Sequence, residues 1–351
     1  MSVLPATSRA WHLVSRPHGT PRPEDFALRE TPVGAPAAGH LLIRNHYFSV
    51  DPYMRGRMGD TPGYAYFPPY ALDEALVGHA VGEVVVSNAA GFAPGDHVLH
   101  FGGWREYAEV PSGEATPVDT DGIPLTAYLS VLGMTGLSAY TGLFEIASFR
   151  KGDVVFVSGA AGAVGGQAGQ LARLSGARRV IGSAGTDEKV RMLVEEFGFD
   201  AAFNYRAGSV SDQLRQAAPE GIDLYFDTVG GDHLEAAIGA LREHGRVALC
   251  GAIAQYNDVE PPPGPRNLAQ AIGKRLTMRG MIVTDHQDLL PRFMADVAPW
   301  VRSGELVWRE TVAEGIEKGP EAFLGLFRGD NTGKMIVRLD HPATGAASPS
   351  R

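Results

Sequence analysis

The stretch Val154-Val155-Phe156-Val157-Ser158-Gly159-Ala160-Ala161-Gly162-Ala163-Val164-Gly165 constrains this chain more than any other. Four successive apolar residues before a turn read as a strand buried on both faces. Gly159, Gly162 and Gly165 then fall at three-residue spacing and lead into the helix-forming run Gly166 to Leu174. Glycines in such a turn let the backbone approach a pyrophosphate closely. The helix that follows aims its unpaired N–H groups and the positive end of its dipole at that charge. The turn therefore reads as a dinucleotide site. With 44 glycines in 351 residues, an ordinary strand-to-helix loop could carry the same pattern, so the decision rests on its surroundings.

Those surroundings repeat the alternation. Arg179 to Gly182 reads as a second strand, and Thr186 can cap a helix through Val190, Leu193 and Val194 that Gly198 can end. Ala201 to Asn204 reads as a third strand and Leu224 to Phe226 as a fourth. His233 to His244 has helical spacing with Gly245 behind it. Val247 to Cys250 and Met278 to Val283 complete the series as a fifth and a sixth strand. Strands alternating with helices predict an α/β, doubly wound parallel sheet of the Rossmann kind.

Residues before about 125 are built differently. Proline, glycine and short alternating runs such as Leu41 to Arg44, Gly82 to Val86 and His97 to Leu99 predict a compact β domain. The predicted division is residues 1–125 for this domain, 126–310 for the nucleotide domain, and 311–340 returning to complete the first. Leu125 to Phe144 reads as a helical connection, Glu321 to Phe327 as an amphipathic helix, and Lys334 to Leu339 as the returning strand. Residues 341–351 are small, polar and proline-bearing, and read as a disordered tail. Pro261-Pro262-Pro263-Gly264-Pro265 is a stiff loop, either a lid, an oligomer contact or a plain surface segment.

Composition removes several classes. The formal net charge of −9, with no basic run among aromatics, argues against nucleic acid and anionic membrane as partners. The one cysteine, Cys250, excludes an intrachain disulfide and a cysteine-built zinc site. No apolar run is long enough to span a bilayer and none resembles a signal peptide, so a soluble cytoplasmic protein is the expectation.

Five blocks of the middle region carry a family resemblance: Ala160 to Gly165, Asp187-Glu188-Lys189-Val190, Phe203-Asn204-Tyr205, Phe226-Asp227-Thr228-Val229-Gly230-Gly231 and Gly251 to Asn257. Val50-Asp51-Pro52-Tyr53-Met54-Arg55-Gly56-Arg57-Met58 and Gly329-Asp330-Asn331-Thr332-Gly333-Lys334 belong to the same pattern. The chain resembles, from about residue 10 to 340, the zinc-independent medium-chain dehydrogenase/reductases, most of all their prostaglandin reductase and alkenal double-bond reductase group. The resemblance implies a GroES-like β domain, a Rossmann domain, a homodimer, and NADPH-dependent reduction of activated carbon–carbon double bonds.

Cofactor choice has a separate argument. An NAD site places an acid at the end of the second strand, about 20 residues past the glycine turn. Gly182-Ser183-Ala184-Gly185 is neutral there, so a 2′-phosphate meets no repulsion. Lys189 can reach back to that phosphate as a point charge, although by itself it reads as a solvated helix lysine. The resemblance assigns Lys189 and Tyr205 to the 2′-phosphate, and Gly162, Ala163, Val164 and Gly165 to the pyrophosphate turn. It places Thr228, Cys250, Gly251, Ala252, Ile253, Tyr256, Met281, Ile282, Val283 and Asn331 about the nicotinamide end. Thr228 stands where the family commonly has Asn.

The resemblance leaves metal out. His79 in Gly78-His79-Ala80 holds the place of a zinc-dependent relative's histidine, but Ala80 replaces the acid and no cysteine partner exists in that domain. Reduction of an enone needs no Lewis acid: hydride attacks the β-carbon, and the developing enolate needs only hydrogen-bond donors. The candidate catalytic donors are Tyr256, beyond the fifth strand, and Tyr53. A tyrosine that only buries its ring and satisfies its hydroxyl on the backbone would look the same in sequence. The expected substrate is thus an enal or enone. A quinone, or a non-catalytic NADPH-binding role, is the alternative. The aromatics Tyr64, Tyr66, Phe67 and Tyr70 either line an apolar pocket or pack their own loop.

Overall fold

The computed structural model describes residues 4–59 and 67–339. Tyr64 and Tyr66, and the predicted tail 341–351, lie outside the described residues.

The first part of the chain forms β1 (Thr7–Leu13), β2 (Phe26–Pro32), β3 (His40–Ser49), β4 (Ala80–Ser87), β5 (His97–His100), β6 (Tyr107–Pro111) and β7 (Thr116–Pro117). The middle forms β8 (Val154–Val157), β9 (Arg179–Ala184), β10 (Ala201–Asn204), β11 (Ile222–Asp227), β12 (Leu241–Leu249) and β13 (Thr277–Gly280). The last strands are β14 (Glu310–Glu314) and β15 (Lys334–Arg338). The helices are α1 (Met134–Tyr140), α2 (Ala163–Leu174), α3 (Asp187–Glu195), α4 (Val210–Ala217), α5 (Gly231–Ala240), α6 (Gln270–Lys274), α7 (Leu290–Ser303) and α8 (Gly319–Arg328).

The middle strands make a six-stranded parallel sheet in the order β10-β9-β8-β11-β12-β13. This is the doubly wound order, with its switch point between β8 and β11, where ligands of such sheets bind. All four residues of β8 are buried, as expected of a central strand covered on both faces. A second sheet runs β14-β15-β3-β4-β5-β7, with β6 also on β3. β15 pairs antiparallel with β3 and parallel with β14, so the last described strand closes the first sheet.

Three elements depart most from the sequence reading. The helix expected over His233–His244 stops at Ala240, because Leu241 turns to extended backbone and drops its side chain into the core beneath the sheet. Arg242, now on a strand, reaches the Asp223 carboxylate at 2.9 Å. The connection Leu125 to Phe144 is not one helix. A 3₁₀ turn (Leu125–Leu129) is followed by α1 and a π-turn (Thr141–Ile146). The chain doubles back so tightly at Gly133 that a Cβ there would lie 2.1 Å from the Tyr128 carbonyl oxygen. The sixth strand ends at Gly280, and Val283 opens a 3₁₀ segment instead.

Candidate functional site

The glycine turn is built as a backbone cradle. Gly159 has φ +57°, a conformation that penalises side chains, and the Gly162 N–H closes on its carbonyl at 2.9 Å. A Cβ on Gly165 would sit 2.6 Å from the Gly159 oxygen. Further along, a Cβ on Gly169 would sit 2.0 Å from the Phe199 ring, so this glycine lets α2 lie close on the sheet. Gly162 is the N-cap of α2 and offers no side chain to its N–H groups. A side-chain-free cradle at the mouth of an uncapped helix has the donors and the room that a diphosphate requires. The turn is held from outside: the Gly333 N–H donates to the Ala161 carbonyl at 2.7 Å, and Gly333 bridges Gly162.

Thr228 braces the same turn. Its hydroxyl donates to the Ser158 carbonyl at 2.9 Å and its N–H to the Ser158 hydroxyl at 3.0 Å. Asp227, which the sequence reading gave no role, organises this whole loop. One of its oxygens accepts from the Tyr225 hydroxyl (2.7 Å), the Ser158 hydroxyl (3.1 Å) and the N–H groups of Val229 (2.9 Å) and Gly230 (2.8 Å). Burial raises its pKa while those donors oppose the rise. Burial also pushes the Cys250 thiol up to about 12, with the Asp227 charge adding to it, so Cys250 is no nucleophile at neutral pH.

At the end of β9 the side chains form a separate cluster. Thr186 caps α3 by accepting from the Lys189 N–H at 3.2 Å. The Lys189 ammonium donates to the carbonyls of Gly329 and Asn331, both at 2.7 Å, which leaves it one further N–H. Burial lowers its pKa, and the nearby Arg206 lowers it further. Tyr205 packs edge-on against His233, with its hydroxyl 2.9 Å from where a Cβ on Gly185 would stand. Asn331 donates from its side chain to the Gly333 carbonyl at 2.8 Å, a turn-stabilising contact.

A cavity of about 970 Å³ opens beside the carboxyl ends of β11 and β12. Tyr53, Gly251, Ala252, Tyr256, Met281 and Ile282 line it, so the structure brings both candidate tyrosines to one space although 203 positions separate them. The Tyr256 hydroxyl accepts from the Ala252 N–H at 3.3 Å. Arg55 donates to the Asn257 side chain at 3.0 Å, tying the turn that carries Tyr53 to the loop that carries Tyr256. Pro263, Gly264 and Pro265 of the stiff loop also line the cavity. The pyrophosphate-turn residues, together with Lys189, Tyr205, Thr228, Cys250, Ile253, Val283 and Asn331, lie outside that lining. His79 lies edge-on to Phe101, and burial lowers its pKa. Among the described residues no three His, Cys, Asp or Glu converge as metal ligands.

A parallel nucleotide sheet with a glycine cradle at its switch point, facing a tyrosine-lined cavity and a second β domain, defines a dinucleotide-dependent oxidoreductase. Known proteins agree. A family model described as the N-terminal domain of oxidoreductase matches residues 9–118, and one described as zinc-binding dehydrogenase matches residues 163–298. The NADPH-dependent curcumin reductase of Escherichia coli (strain K12) is 39% identical over 95% of this chain and 97% of its own. The 2-alkenal reductase (NADP(+)-dependent) of Nicotiana tabacum is 39% identical over 92% and 94%. The crystal structure of CurA in complex with NADPH from Vibrio vulnificus superposes with a TM-score of 0.90 at 39% identity, covering 95% of this chain and 100% of that one. The chain belongs to the zinc-independent medium-chain dehydrogenase/reductases, in the group of the alkenal, curcumin and prostaglandin reductases.

Proposed function

We propose that this protein reduces the carbon–carbon double bond of α,β-unsaturated aldehydes or ketones. It is an NADP-dependent oxidoreductase of the kind its relatives represent. The convergence of Tyr53 and Tyr256 on one cavity with Met281 and Ile282 carries the finer reading. When bound, the cofactor supplies the hydride that goes to the β-carbon. Gly162, Ala163, Val164 and Gly165 would hold the pyrophosphate, and Lys189 and Tyr205 the 2′-phosphate. Thr228, Cys250 to Ile253, Met281 to Val283 and Asn331 would hold the nicotinamide end. Tyr53 orients the carbonyl. The Tyr256 hydroxyl, already hydrogen-bonded at Ala252, delivers a proton toward the α-carbon. Residues 1–125 with 311–340 form the substrate domain in this reading, and 126–310 the nucleotide domain. Two copies pair through the edge strand β13, which follows in the chain the helix α6 whose Ile272 is 82% exposed. A cytoplasmic setting accords with the single cysteine, and no described helix is long and apolar enough to cross a membrane.

The test is NADPH consumption across a panel of enals, enones and quinones, with NADH as control. Tyr256→Phe is expected to lower kcat by about 10²-fold, the low end for a lost general acid. Unchanged turnover would reduce Tyr256 to a packing role.

A further inference from the structure

We propose that Lys334 is a positioning residue: through Asp51 it fixes the direction of the turn that carries Tyr53, and so the placement of Tyr53 in the cavity. The inference rests on the reading of Tyr53 as the group that orients the substrate carbonyl.

Tyr53 is the second residue of the 3₁₀ turn Pro52–Met58, and Asp51 is the extended residue on which that turn begins. The proline ring fixes the first φ of the turn. The direction in which Tyr53 leaves the sheet is therefore set by Val50 and Asp51. One ammonium holds both. Lys334 Nζ donates to the Val50 carbonyl at 2.9 Å, to one Asp51 carboxylate oxygen at 3.0 Å and to the Met335 carbonyl at 3.0 Å. These contacts use all of its N–H groups. The other Asp51 oxygen accepts from the Ser49 hydroxyl on β3. Lys334 is 2% exposed and Asp51 is 4% exposed, so the pair sits away from water.

The energetics favour a directional role. Burying both charges costs about as much as their attraction returns, and an apolar pair of similar volume would stabilise the fold as well. An apolar pair would not supply direction, which the hydrogen bonds to Val50, Asp51 and Met335 do. Lys334 also stands on β15, a strand paired on both sides, which is a rigid base for a group carried on a turn. Its neighbour Gly333 donates to Ala161 of the glycine turn at 2.7 Å. Consecutive residues thus hold the cofactor turn and the tyrosine turn, and the peptide between them sets one against the other.

The probe is (E)-cinnamaldehyde, titrated calorimetrically into the NADP⁺-loaded protein, where no hydride is available. Tyr53→Phe should weaken it about fivefold, the worth of one neutral hydrogen bond. Lys334→Met should weaken it by a similar factor when Tyr53 is present, and not at all in the Tyr53→Phe protein, where no hydroxyl is left to position. Asp51→Asn keeps the shape of the carboxylate without its charge. It should show the same dependence on Tyr53 at smaller size, and it carries the test if Lys334→Met does not fold. Variants that weaken the probe equally with and without the Tyr53 hydroxyl, or that fold and leave its affinity unchanged, overturn the inference. A Tyr53→Phe protein that binds the probe as before overturns it too. A protein that shows the expected dependence but consumes no NADPH with cinnamaldehyde would keep this inference and lose the reduction reading.

Discussion

Gly333→Ala tests how the C-terminal segment supports the nucleotide turn. Gly333 has φ +67°, and a Cβ there would lie 1.8 Å from the Arg309 carbonyl oxygen and 2.5 Å from its carbon. The left-handed backbone alone costs an alanine about 1–2 kcal/mol. The overlap with Arg309 can be relieved only by displacing a strand that is hydrogen-bonded on both sides. The Lys334 N–H donates to the Arg309 carbonyl at 2.9 Å and the Gly333 N–H to Ala161 at 2.7 Å. Losing both bonds adds about 2 kcal/mol at roughly 1 kcal/mol each. The sum is about 3–4 kcal/mol, and at about 1.4 °C per kcal/mol for a chain of this size Tm should fall by roughly 4–5 °C. Gly39→Ala separates the two effects. Gly39 has φ +79° but nothing within 4 Å of a Cβ, so it should lose only the backbone share. Differential scanning fluorimetry gives the Tm values, and quenching of protein fluorescence by NADPH gives Kd. Gly333→Ala should also weaken NADPH, because the displaced contact is the one that fixes Ala161 beside Gly162. Equal Tm losses for the two variants, with NADPH affinity unchanged in both, would refute the reasoning.

Further outcomes follow for Lys189 and for two buried histidines. Lys189→Ala should raise KM for NADPH much more than for NADH, and equal effects would remove Lys189 from the 2′-phosphate. The same change should lower Tm, since Gly329 and Asn331 lose their shared donor. Burial holds the pKa of His100 down to about 3 and that of His233 to about 4, so the native protein keeps both neutral. The unfolded chain takes up protons near the ordinary histidine pKa of about 6.5, so these groups stabilise the native state above that value. Their contribution is lost as pH falls from about 6.5 toward 3–4. Tm measured from pH 7.5 to 5 should drop, less steeply in His100→Asn, and parallel profiles would contradict the assignment.

Local periodicity made the nucleotide sheet legible. Val154 to Val157 are buried together, and the Gly159 to Gly165 turn enters a helix where the glycines say it should. It failed where tertiary packing overruled spacing. Leu241 continues the apolar rhythm of α5, yet it meets the core from a strand. The run from Leu125 to Phe144 has apolar residues at helical spacing, but the close backbone approach at Gly133 divides it, and apolar spacing does not register such approaches. The site shows the same limit. Tyr53 and Tyr256 could be named from their surroundings in sequence, and folding alone puts them on one cavity. Arg57 sits between Gly56 and Met58 in the chain, with nothing to mark it as buried. Its guanidinium is caged by the rings of Phe67, Tyr70 and Phe101, brought together only in three dimensions. Asp227 was hidden for a related reason: Ser158, which donates to it, comes from the turn that follows the neighbouring strand β8.

The placement of β15 also sets an order of events during synthesis. β15 lies between β14 and β3, and the buried Lys334 ammonium donates to the Val50 carbonyl across a separation of 284 residues. At about 5–20 residues per second, the ribosome needs roughly 14–57 s to make that intervening chain. Throughout that interval the β3 side of the first sheet awaits its last strand, as an unpaired edge of the sort that other chains can join. The nucleotide turn, which depends on Gly333, waits for the same few residues. A nascent chain of this protein therefore acquires the closure of its first sheet and the support of its cofactor cradle together, once Gly333 to Arg338 have emerged.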